Sequence, residues 1–401
     1  MGHGQIKNLY YITHIENIPS ILERGILSHE RVEEEKIKFT PIYDAEIIAS
    51  RREIRTPNGK SLWSFANLYF QPRNPMLYRV LREKSTRYIA ILAVEQSILN
   101  RSDIFISTGN AASSPSEILS AQNGMRAIPQ IMNAINVEWW SDVDGSKRKI
   151  MAECLVPDFV PPQFIQTIYV PSFAASEEVK AKLPPFRVNP TVIPEPHMFF
   201  EPHYRNFLDN LVIVEGDMFF SSMQTITVSV NCVGVMGKGL ASKAKYHFPD
   251  VYVFYQDLCK KRTLKMGKPY LYKRETSLDY QLADEPSTLL NGNSETWFLL
   301  FPTKRHWREP GDIYSIEKGL QWLQDIYKRE GIKSLAVPAL GCGLGKLEWK
   351  DVGPLLCRYL YPLGIPVQIY LPTEKKIPDE FVSENFLLGQ LKNKVNKLKF
   401  F

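Results

Sequence analysis

The sequence predicts two mixed α/β domains on either side of a proline-rich segment. Residues 225–239 and 334–345 each have the pattern of a buried strand that runs into a glycine-rich loop. Residues 183–203 contain six prolines, which disfavour both a helix and a central strand. With 401 residues, the chain is long enough for two or three domains with separate cores.

Composition indicates a globular protein without a membrane segment. Hydrophobic residues make up 44% and charged residues 23% of the chain, and no apolar run approaches the roughly 18 residues of a membrane span. The N-terminus lacks the apolar core of a signal peptide. The five cysteines have no metal-ligand spacing, which predicts reduced thiols, a cytoplasmic location and no bound metal. The net charge of +6 is compatible with a nucleic-acid partner.

The first glycine loop has the features of a phosphate site. The strand at residues 225–230 ends at Asn231, and glycines at 234, 237 and 239 precede residues with helical spacing. Lys238 is not followed by a P-loop Ser or Thr, and GxGxxG is absent, so neither nucleotide fingerprint is met. An ordinary turn is the alternative. The second loop, residues 341–345, favours the site, because two such loops at one sheet edge would hold a diphosphate.

Three features of the first half indicate chemistry. Adjacent Tyr10 and Tyr11 face opposite ways on a strand, so one of them can face a pocket. Arg51 and Arg52 are suited to clamp a diphosphate, although a solvated basic face is the alternative. Glu153 lies in an apolar strand, where a carboxylate is costly unless it serves a site or faces water.

The second half resembles a macrodomain, the ADP-ribose-binding module, over about residues 211–372. The strings VNCVGVMGKGLA, FPTKRHWRE and PALGCGLGKLEW are similar to the DarG branch, which removes ADP-ribose from DNA. The resemblance implies an α/β/α three-layer fold and a role for Lys304 in that removal, where a lysine of lowered pKa can attack the sugar. The implied ADP-ribose-binding residues are Asp217, Asn231, Val235, Met236, Gly237, Lys238, Gly239, Gly341, Cys342, Gly343, Leu344 and Gly345.

The first half resembles the DarT family of NAD-dependent ADP-ribosyltransferases that act on single-stranded DNA, over about residues 6–190. The resemblance is carried by LYYITHIENIPSIL, the arginine pair, FQPRNPMLY and AECLVP, and it implies an α+β ADP-ribosyltransferase fold. It implies Glu153 and Arg52 as catalytic residues. The implied NAD-binding residues are Tyr10, Tyr11, Thr13, Asn17, Arg51 and Arg52. The family often has histidine at the position of Tyr11.

These residue types suit ADP-ribose transfer to a base. Cleavage of the nicotinamide–ribose bond builds positive charge on the ribose, which a preorganised carboxylate stabilises. The same carboxylate can help deprotonate a base nitrogen, while an arginine orients the phosphates. Arginines at phosphates and aromatic or thioether surfaces under bases are the expected contacts with single-stranded DNA. Our candidates for these contacts are Arg73, Met76, Tyr78, Asn110, Arg148 and Lys149.

The sequence thus predicts a toxin–antitoxin fusion. We expect a transferase at residues 1–186, a linker at 187–207, a macrodomain at 208–374 and a basic tail at 375–401. NAD is the expected substrate, ADP-ribose the product or ligand, and single-stranded DNA the partner. Contact between the two domains remains open. The alternatives are an NAD-dependent RNA-end repair enzyme and a non-catalytic reader of ADP-ribose.

Overall fold

The computed structural model describes residues 6–43, 49–183, 188–284, 289, 295–372 and 375–389. The chain forms two compact units. The first comprises residues 1–200 together with 279–292, and the second comprises residues 201–278 and 293–401.

The first unit is built on a mixed eight-stranded sheet with the order β10-β9-β4-β1-β3-β7-β5-β6. Its neighbouring strands are antiparallel except for the parallel pair β9 and β10. The strands β2 and β8 form a separate short pair. The strands of this unit are β1 (Asn8–His14), β2 (Ile26–Leu27), β3 (Phe65–Tyr69), β4 (Ile89–Glu95), β5 (Phe105–Ser107), β6 (Ile118–Ser120), β7 (Glu153–Pro157), β8 (Phe159–Val160), β9 (Ile165–Val170) and β10 (Thr191–Pro194).

Helices and tight turns connect these strands. The helices are α1 (Ile18–Arg24), α2 (His29–Glu34), α3 (Pro75–Glu83), α4 (Ala121–Ile135), α5 (Ser146–Lys149) and α6 (Phe173–Lys182). The QPRNP motif starts α3, because Asn74 caps the helix by accepting from the backbone N–H of Leu77 at 3.0 Å and Pro75 occupies the first helical turn. The two prolines of this motif therefore set where α3 begins.

The second unit has a seven-stranded sheet with the order β11-β12-β17-β16-β13-β15-β14. The five inner strands run parallel, and β11 and β14 join the edges antiparallel. The strands are β11 (His203–Leu208), β12 (Leu211–Glu215), β13 (Thr225–Asn231), β14 (Tyr270–Tyr272), β15 (Trp297–Lys304), β16 (Leu335–Pro338) and β17 (Val367–Tyr370). The helices are α7 (Gly239–His247), α8 (Pro249–Lys260), α10 (Ile313–Glu330) and α11 (Trp349–Leu360). A short helix between α8 and α10, α9 (Leu278–Leu282), begins at the last residue of this part of the second unit and otherwise belongs to the first unit.

Alternate residues of β15 show that helices cover both faces of this sheet. Leu299 and Phe301 belong to one buried cluster with residues of α10 and α11. The ring of Phe298 meets Phe248, between α7 and α8, at 4.7 Å. Since successive strand residues point to opposite faces, these contacts define three layers. The three-layer fold predicted for the second half is confirmed.

The predicted linker is wrong for two of its segments. β10 pairs with β9 in the first sheet, and β11 pairs with β12 in the second. Prolines are compatible with β10 because it lies at a sheet edge, where a missing N–H leaves no ladder bond unmade. Residues 184–187 lie outside the described part of the chain.

The predicted boundaries also need correction elsewhere. Residues 279–292 belong to the first unit although they follow β14 in the chain. Part of the predicted tail belongs to the second core, since Val382, Leu387 and Leu388 are buried in its cluster. The lysine-rich end, residues 390–401, lies outside the described residues. None of the helices in the described ranges combines the length and apolar character that a membrane crossing requires.

Candidate active sites

The first unit contains a cavity of about 360 Å³ against its sheet. Strands β1 and β3 contribute Tyr11 and Tyr69 to its wall, and His29 and Tyr43 extend the aromatic surface. The charged lining residues are Arg51, Arg79, Asp142, Lys147, Arg148 and Asp284. A cavity with aromatic walls and several cations suits a ligand that has both rings and phosphates.

Glu153 is a buried, hydrogen-bonded carboxylate that does not itself line the cavity but pairs with Arg51, which does. It opens β7 and has 0% exposure. Nη2 of Arg51 donates to its Oε2 at 2.7 Å, and Nη1 donates to Oε1 at 3.3 Å. The backbone N–H of Ala111 also donates to Oε1 at 2.9 Å. Burial opposes the charge of Arg51, but the ion pair and hydrogen bonds with Glu153 raise the pKa of Arg51. Pairing of this kind is what stabilises a charged carboxylate without water.

His29 is a neutral neighbour of this ion pair. Burial, followed by the charge of Arg51, lowers the pKa of His29 to about 4. Its Nε2 lies 3.1 Å from the hydroxyl of Tyr43, and its ring stacks on Trp63 at 4.5 Å. Burial also raises the pKa of Tyr11 to about 12. These rings therefore offer hydrogen bonds at neutral pH without adding charge.

In the second unit, Asn231 organises the first glycine loop from the end of β13. Its amide nitrogen donates to the carbonyl of Val235 at 2.6 Å, and its Oδ1 accepts from the N–H of Val233 at 3.0 Å. The buried hydroxyl of Tyr255 donates to the same Oδ1 at 2.9 Å. Asn231 is thus a scaffold that shapes the loop backbone from inside.

The two glycine loops meet at the carboxyl edge of the parallel strands. A Cβ on Gly239, which has φ +63°, would lie 3.4 Å from Leu344 of the second loop. Within that loop, a Cβ on Gly345 would lie 2.4 Å from the carbonyl oxygen of Gly341. Only glycine allows this close approach of backbone to backbone. The two predicted phosphate loops therefore lie against each other at this edge.

Lys304 lies at the same edge, opposite Asn231 in the register of β15 and β13. Its Nζ donates to the carbonyl of Leu344 at 2.9 Å and to that of Trp307 at 3.4 Å. Partial burial and, after it, the charge of Lys346 lower the pKa of Lys304. A lysine with a lowered pKa beside a glycine-rich loop is equipped to act as a base or nucleophile.

Comparison with known proteins also divides the chain into a first part and a second part, each of which matches a different family. Residues 10–200 match the family described as "ssDNA thymidine ADP-ribosyltransferase, DarT", and residues 295–356 match the macro domain family. A DNA ADP-ribosyl transferase–DNA ADP-ribosyl glycohydrolase fusion protein of Thermosipho africanus is 56% identical over 386 residues, which is 96% of this chain and 99% of the relative. The chain belongs to this family of fusion proteins.

Two further similarities agree with membership of the fusion family. The structure of Thermosipho africanus DarTG in complex with ADP-ribose has a TM-score of 0.87 and 55% identity, over 95% of this chain and 100% of that one. A DNA ADP-ribosyl glycohydrolase of Mycobacterium tuberculosis is 36% identical over 159 residues, covering 39% of this chain and 41% of the relative. The predictions of a transferase fold, a macrodomain and their fusion are confirmed.

The structure separates the predicted NAD-binding residues of the fusion protein into two groups. Tyr11 and Arg51 line the cavity, whereas Tyr10 does not. Thr13 is buried and accepts from Nδ2 of Asn17 at 3.1 Å, and the same amide nitrogen donates to the carbonyl of Thr40 at 2.9 Å. Thr13 and Asn17 hold the chain that leads to Tyr43, so their position supports an indirect role.

Arg52 has different neighbours from Arg51. Its guanidinium lies 4.5 Å from the centre of the Trp63 ring and forms an ion pair with Glu33, and its side chain is 49% exposed. It does not line the cavity. Position therefore favours Arg51 over Arg52 as the arginine of the site. Residues 50–52 form a 3₁₀ turn, in which neighbouring side chains diverge by about 120°.

Only some of the residues predicted to contact DNA line the cavity. Met76, Asn110 and Arg148 line the cavity, and Nη1 of Arg148 donates to Ser116 at 2.9 Å. Lys149, at the end of α5, does not line it. Two further residues depart from the prediction. The ring of Tyr78 is 1% exposed, so it cannot stack under a base, and Arg73 lies 4.7 Å from the centre of the Phe200 ring.

The remaining predicted residues of the macrodomain lie on or beside the loops. Asp217 approaches Lys243 with Oδ2 and Nζ 3.3 Å apart. Val235 is 40% exposed, whereas Met236 is buried. Lys238 occupies the N-cap position of α7, and its side chain makes no capping hydrogen bond. Burial raises the pKa of Cys342 to about 12, which argues against a reactive thiolate there.

Sequence reasoning missed His29, Tyr43 and Tyr255. Tyr255 is one of several aromatic residues on α8, and nothing in its spacing distinguishes the one that reaches Asn231. His29 and Tyr43 meet only because the chain folds back between them, so no local pattern identifies them. Within the described residues, no group of three His, Cys, Asp or Glu side chains is placed to hold a metal ion.

Proposed function

We propose that the first unit transfers ADP-ribose from NAD to a thymine of single-stranded DNA, and that the second unit hydrolyses the bond so formed. The names of the matching family and of the fusion relative support this pair of reactions. The observation that carries the proposal is the buried Glu153–Arg51 ion pair, whose arginine lines a cavity that also has the aromatic residues Tyr11, His29, Tyr43 and Tyr69 in its wall. NAD and DNA are intracellular, so we also propose a cytoplasmic location.

Glu153 and Arg51 have distinct tasks in the transfer. The bond between ribose C1′ and nicotinamide breaks, nicotinamide leaves with the bonding electrons, and C1′ forms a bond to the free ring N–H nitrogen of thymine. Glu153 stabilises the positive charge on the ribose and accepts the proton that the base nitrogen loses. Arg51 orients Glu153 and, since a guanidinium carries five N–H donors, can bind a phosphate oxygen of NAD at the same time.

Neutral His29 suits this pocket because a further cation beside the ribose would oppose the developing charge. Its low pKa keeps the imidazole uncharged throughout the neutral range. We propose that His29 and Tyr43 hydrogen-bond to ribose hydroxyls or to the nicotinamide amide.

In this proposal the second unit removes ADP-ribose from the base. The glycine loops bind the diphosphate through backbone N–H groups, and Lys304 acts at the ribose. Overall, water adds at C1′, the bond to thymine breaks, the base nitrogen regains a proton and free ADP-ribose leaves. Lys304 in its neutral form can attack C1′ or accept a proton from water, and its lowered pKa increases the neutral fraction.

Glu153→Gln tests the transfer. The amide keeps the shape of the carboxylate but removes its charge, so we expect labelling of a thymine-containing oligonucleotide by NAD to fall by about 10²–10³-fold. Nicotinamide release should fall in parallel. Glu33→Gln is the matched control, because Glu33 also pairs with an arginine but is exposed and outside the cavity. Its rate should stay within about twofold of the unsubstituted chain.

Three outcomes would contradict the transfer. Unchanged nicotinamide release in Glu153→Gln would support a non-catalytic reader. Labelling of 2′-phosphorylated RNA in place of DNA would support RNA-end repair. A rate loss fully explained by unfolding, measured by the thermal transition of each variant, would make Glu153 structural only.

A further inference from the structure

Residues 279–284 bring one further charged residue, Asp284, to the cavity of the first unit. They belong to that unit although β14 precedes them and β15 follows. Leu282 and Ala283 are fully buried, and the indole N–H of Trp140 donates to the carbonyl of Leu282 at 2.9 Å. Asp284, at the end of this segment, lines the cavity. Such burial indicates a permanent part of the wall.

Asp284 holds Arg79, a residue of α3 that also lines the cavity. Nε of Arg79 donates to Oδ1 of Asp284 at 2.9 Å, and Nη1 lies 3.3 Å from Oε1 of Glu83. Arg79 is 1% exposed, so its long side chain is fixed rather than solvated. The two carboxylates engage Nε and Nη1, and the guanidinium carries further donors on Nη2.

Cations outnumber carboxylates among the residues that line the cavity, although three of the cations are paired with carboxylates. Among the described lining residues, Arg51, Arg79, Lys147 and Arg148 are cations, and Asp142 and Asp284 are carboxylates. A guanidinium that is already ordered loses little entropy when it binds, and its planar donors match a phosphate. An arginine serving only to anchor α3 would not need to face the cavity.

We propose that Arg79 binds a phosphate of a transferase substrate and that Asp284 is its positioning residue. This inference rests on the proposed transfer reaction. The phosphate belongs either to NAD or to the backbone of single-stranded DNA. The transferase cavity therefore depends on chain that lies beyond residue 278, and the first 200 residues do not contain the whole site.

Asp284→Asn in the full chain tests the positioning role. The amide keeps the volume of the side chain but weakens its hold on Arg79. We expect KM for one substrate, NAD or a thymine oligonucleotide, to rise on the order of tenfold, with kcat within about twofold. Equilibrium binding of that same substrate alone should weaken to a similar extent. The substrate whose KM rises is the one that supplies the phosphate bound by Arg79.

Asp279→Asn is the matched control. Asp279 lies in the same segment and accepts from the hydroxyl of Tyr78 at 2.6 Å, but it does not line the cavity. We expect a lowered thermal transition without a change in either KM. If Asp284→Asn does not fold, Arg79→Lys is an independent test. Lysine keeps the positive charge but lacks the planar donors of arginine, so KM should rise for the same substrate.

Several results would overturn the inference. These are unchanged KM values for Asp284→Asn and Arg79→Lys, equal effects of Asp279→Asn and Asp284→Asn, or faster transfer by Asp284→Asn. If the unsubstituted chain transfers normally in that assay, only the role of Arg79 fails. If the unsubstituted chain transfers nothing, the proposed function fails and takes this inference with it.

Discussion

His29 shows how single residues of the first unit are adjusted to their surroundings. Its imidazole is stacked on Trp63 and hydrogen-bonded to Tyr43, and its pKa falls from 6.5 to about 4 through burial and the charge of Arg51. The folded protein therefore holds His29 neutral at pH values where an unfolded chain would protonate it. A difference in protonation between the two states makes stability depend on pH.

We expect His29 to make folding less stable as the pH falls from about 6.5 towards 4. In that window the unfolded state binds more protons, so the free energy of unfolding decreases with acidity. His29→Gln should flatten the slope of the thermal transition temperature against pH for the first unit. His203→Gln, at an exposed histidine, should leave that slope unchanged. An unaltered slope in His29→Gln would show that other groups cause the dependence.

Lys346 allows a corresponding test in the second unit, since its charge is one of two causes that lower the pKa of Lys304. Lys346 has φ +60°, a conformation that asparagine tolerates, so Lys346→Asn is the suitable change. Without that charge the pKa of Lys304 rises and its neutral fraction at pH 7 falls. We expect the pH–rate profile for removing ADP-ribose from DNA to shift to higher pH.

Lys350→Asn is the control for this shift, because Lys350 is exposed on α11. Its profile should match that of the unsubstituted chain. If Lys346→Asn also leaves the profile in place, the rate does not depend on the protonation of Lys304.

At the scale of elements, the second site is a property of parallel strand ends. β13, β15 and β16 run in one direction, so Asn231, Lys304 and the loop after Pro338 all arise at one edge. The loops contribute backbone rather than side chains, and their shape depends on glycines at close backbone contacts. Adding a Cβ at one of these glycines tests whether the shape of the loop is needed for binding.

Gly345→Ala should abolish ADP-ribose binding while the unit stays folded. The added Cβ would lie 2.4 Å from the carbonyl oxygen of Gly341, so the loop must move, and with it the Leu344 carbonyl that Lys304 contacts. We expect a loss of affinity of at least about 100-fold by calorimetry. Gly389→Ala, where nothing lies within 4 Å of the added methyl, should bind normally. Retained binding in Gly345→Ala would exclude this loop from the site.

At the scale of the whole molecule, the proposed function gives one chain two sites for the same sugar nucleotide, used in opposite directions. We propose that the first installs ADP-ribose and the second removes it, so the amount of modified DNA reflects a balance of two rates. The sites use separate residues in separate units. Each rate should therefore respond to its own substitutions.

Lys304→Ala should convert a transient product into a lasting one. With NAD and a thymine oligonucleotide, the unsubstituted chain should accumulate ADP-ribosylated DNA and then lose it, whereas Lys304→Ala should retain it while still binding free ADP-ribose. Mass spectrometry of the oligonucleotide over time measures both phases. Lys350→Ala should follow the unsubstituted time course. Equal loss of the adduct in Lys304→Ala would remove Lys304 from the mechanism.

The sequence by itself determined the order and kind of the two domains, because their motifs are local. A strand, a glycine loop and a helix start are contiguous in residues 225–247, and Glu153 is conspicuous in an apolar strand. The proline-rich segment was harder to interpret, since prolines that disfavour a central strand are compatible with an edge strand such as β10.

Only the tertiary structure decided which residues share a site. Arg51 and Arg52 are equivalent by composition, and a 3₁₀ turn directs the first to Glu153 and the second to Trp63. His29 and Tyr43 meet through a chain reversal, and Asp284 reaches Arg79 across 205 positions of sequence. Contacts of this kind depend on how distant segments pack, and no spacing along the chain encodes them.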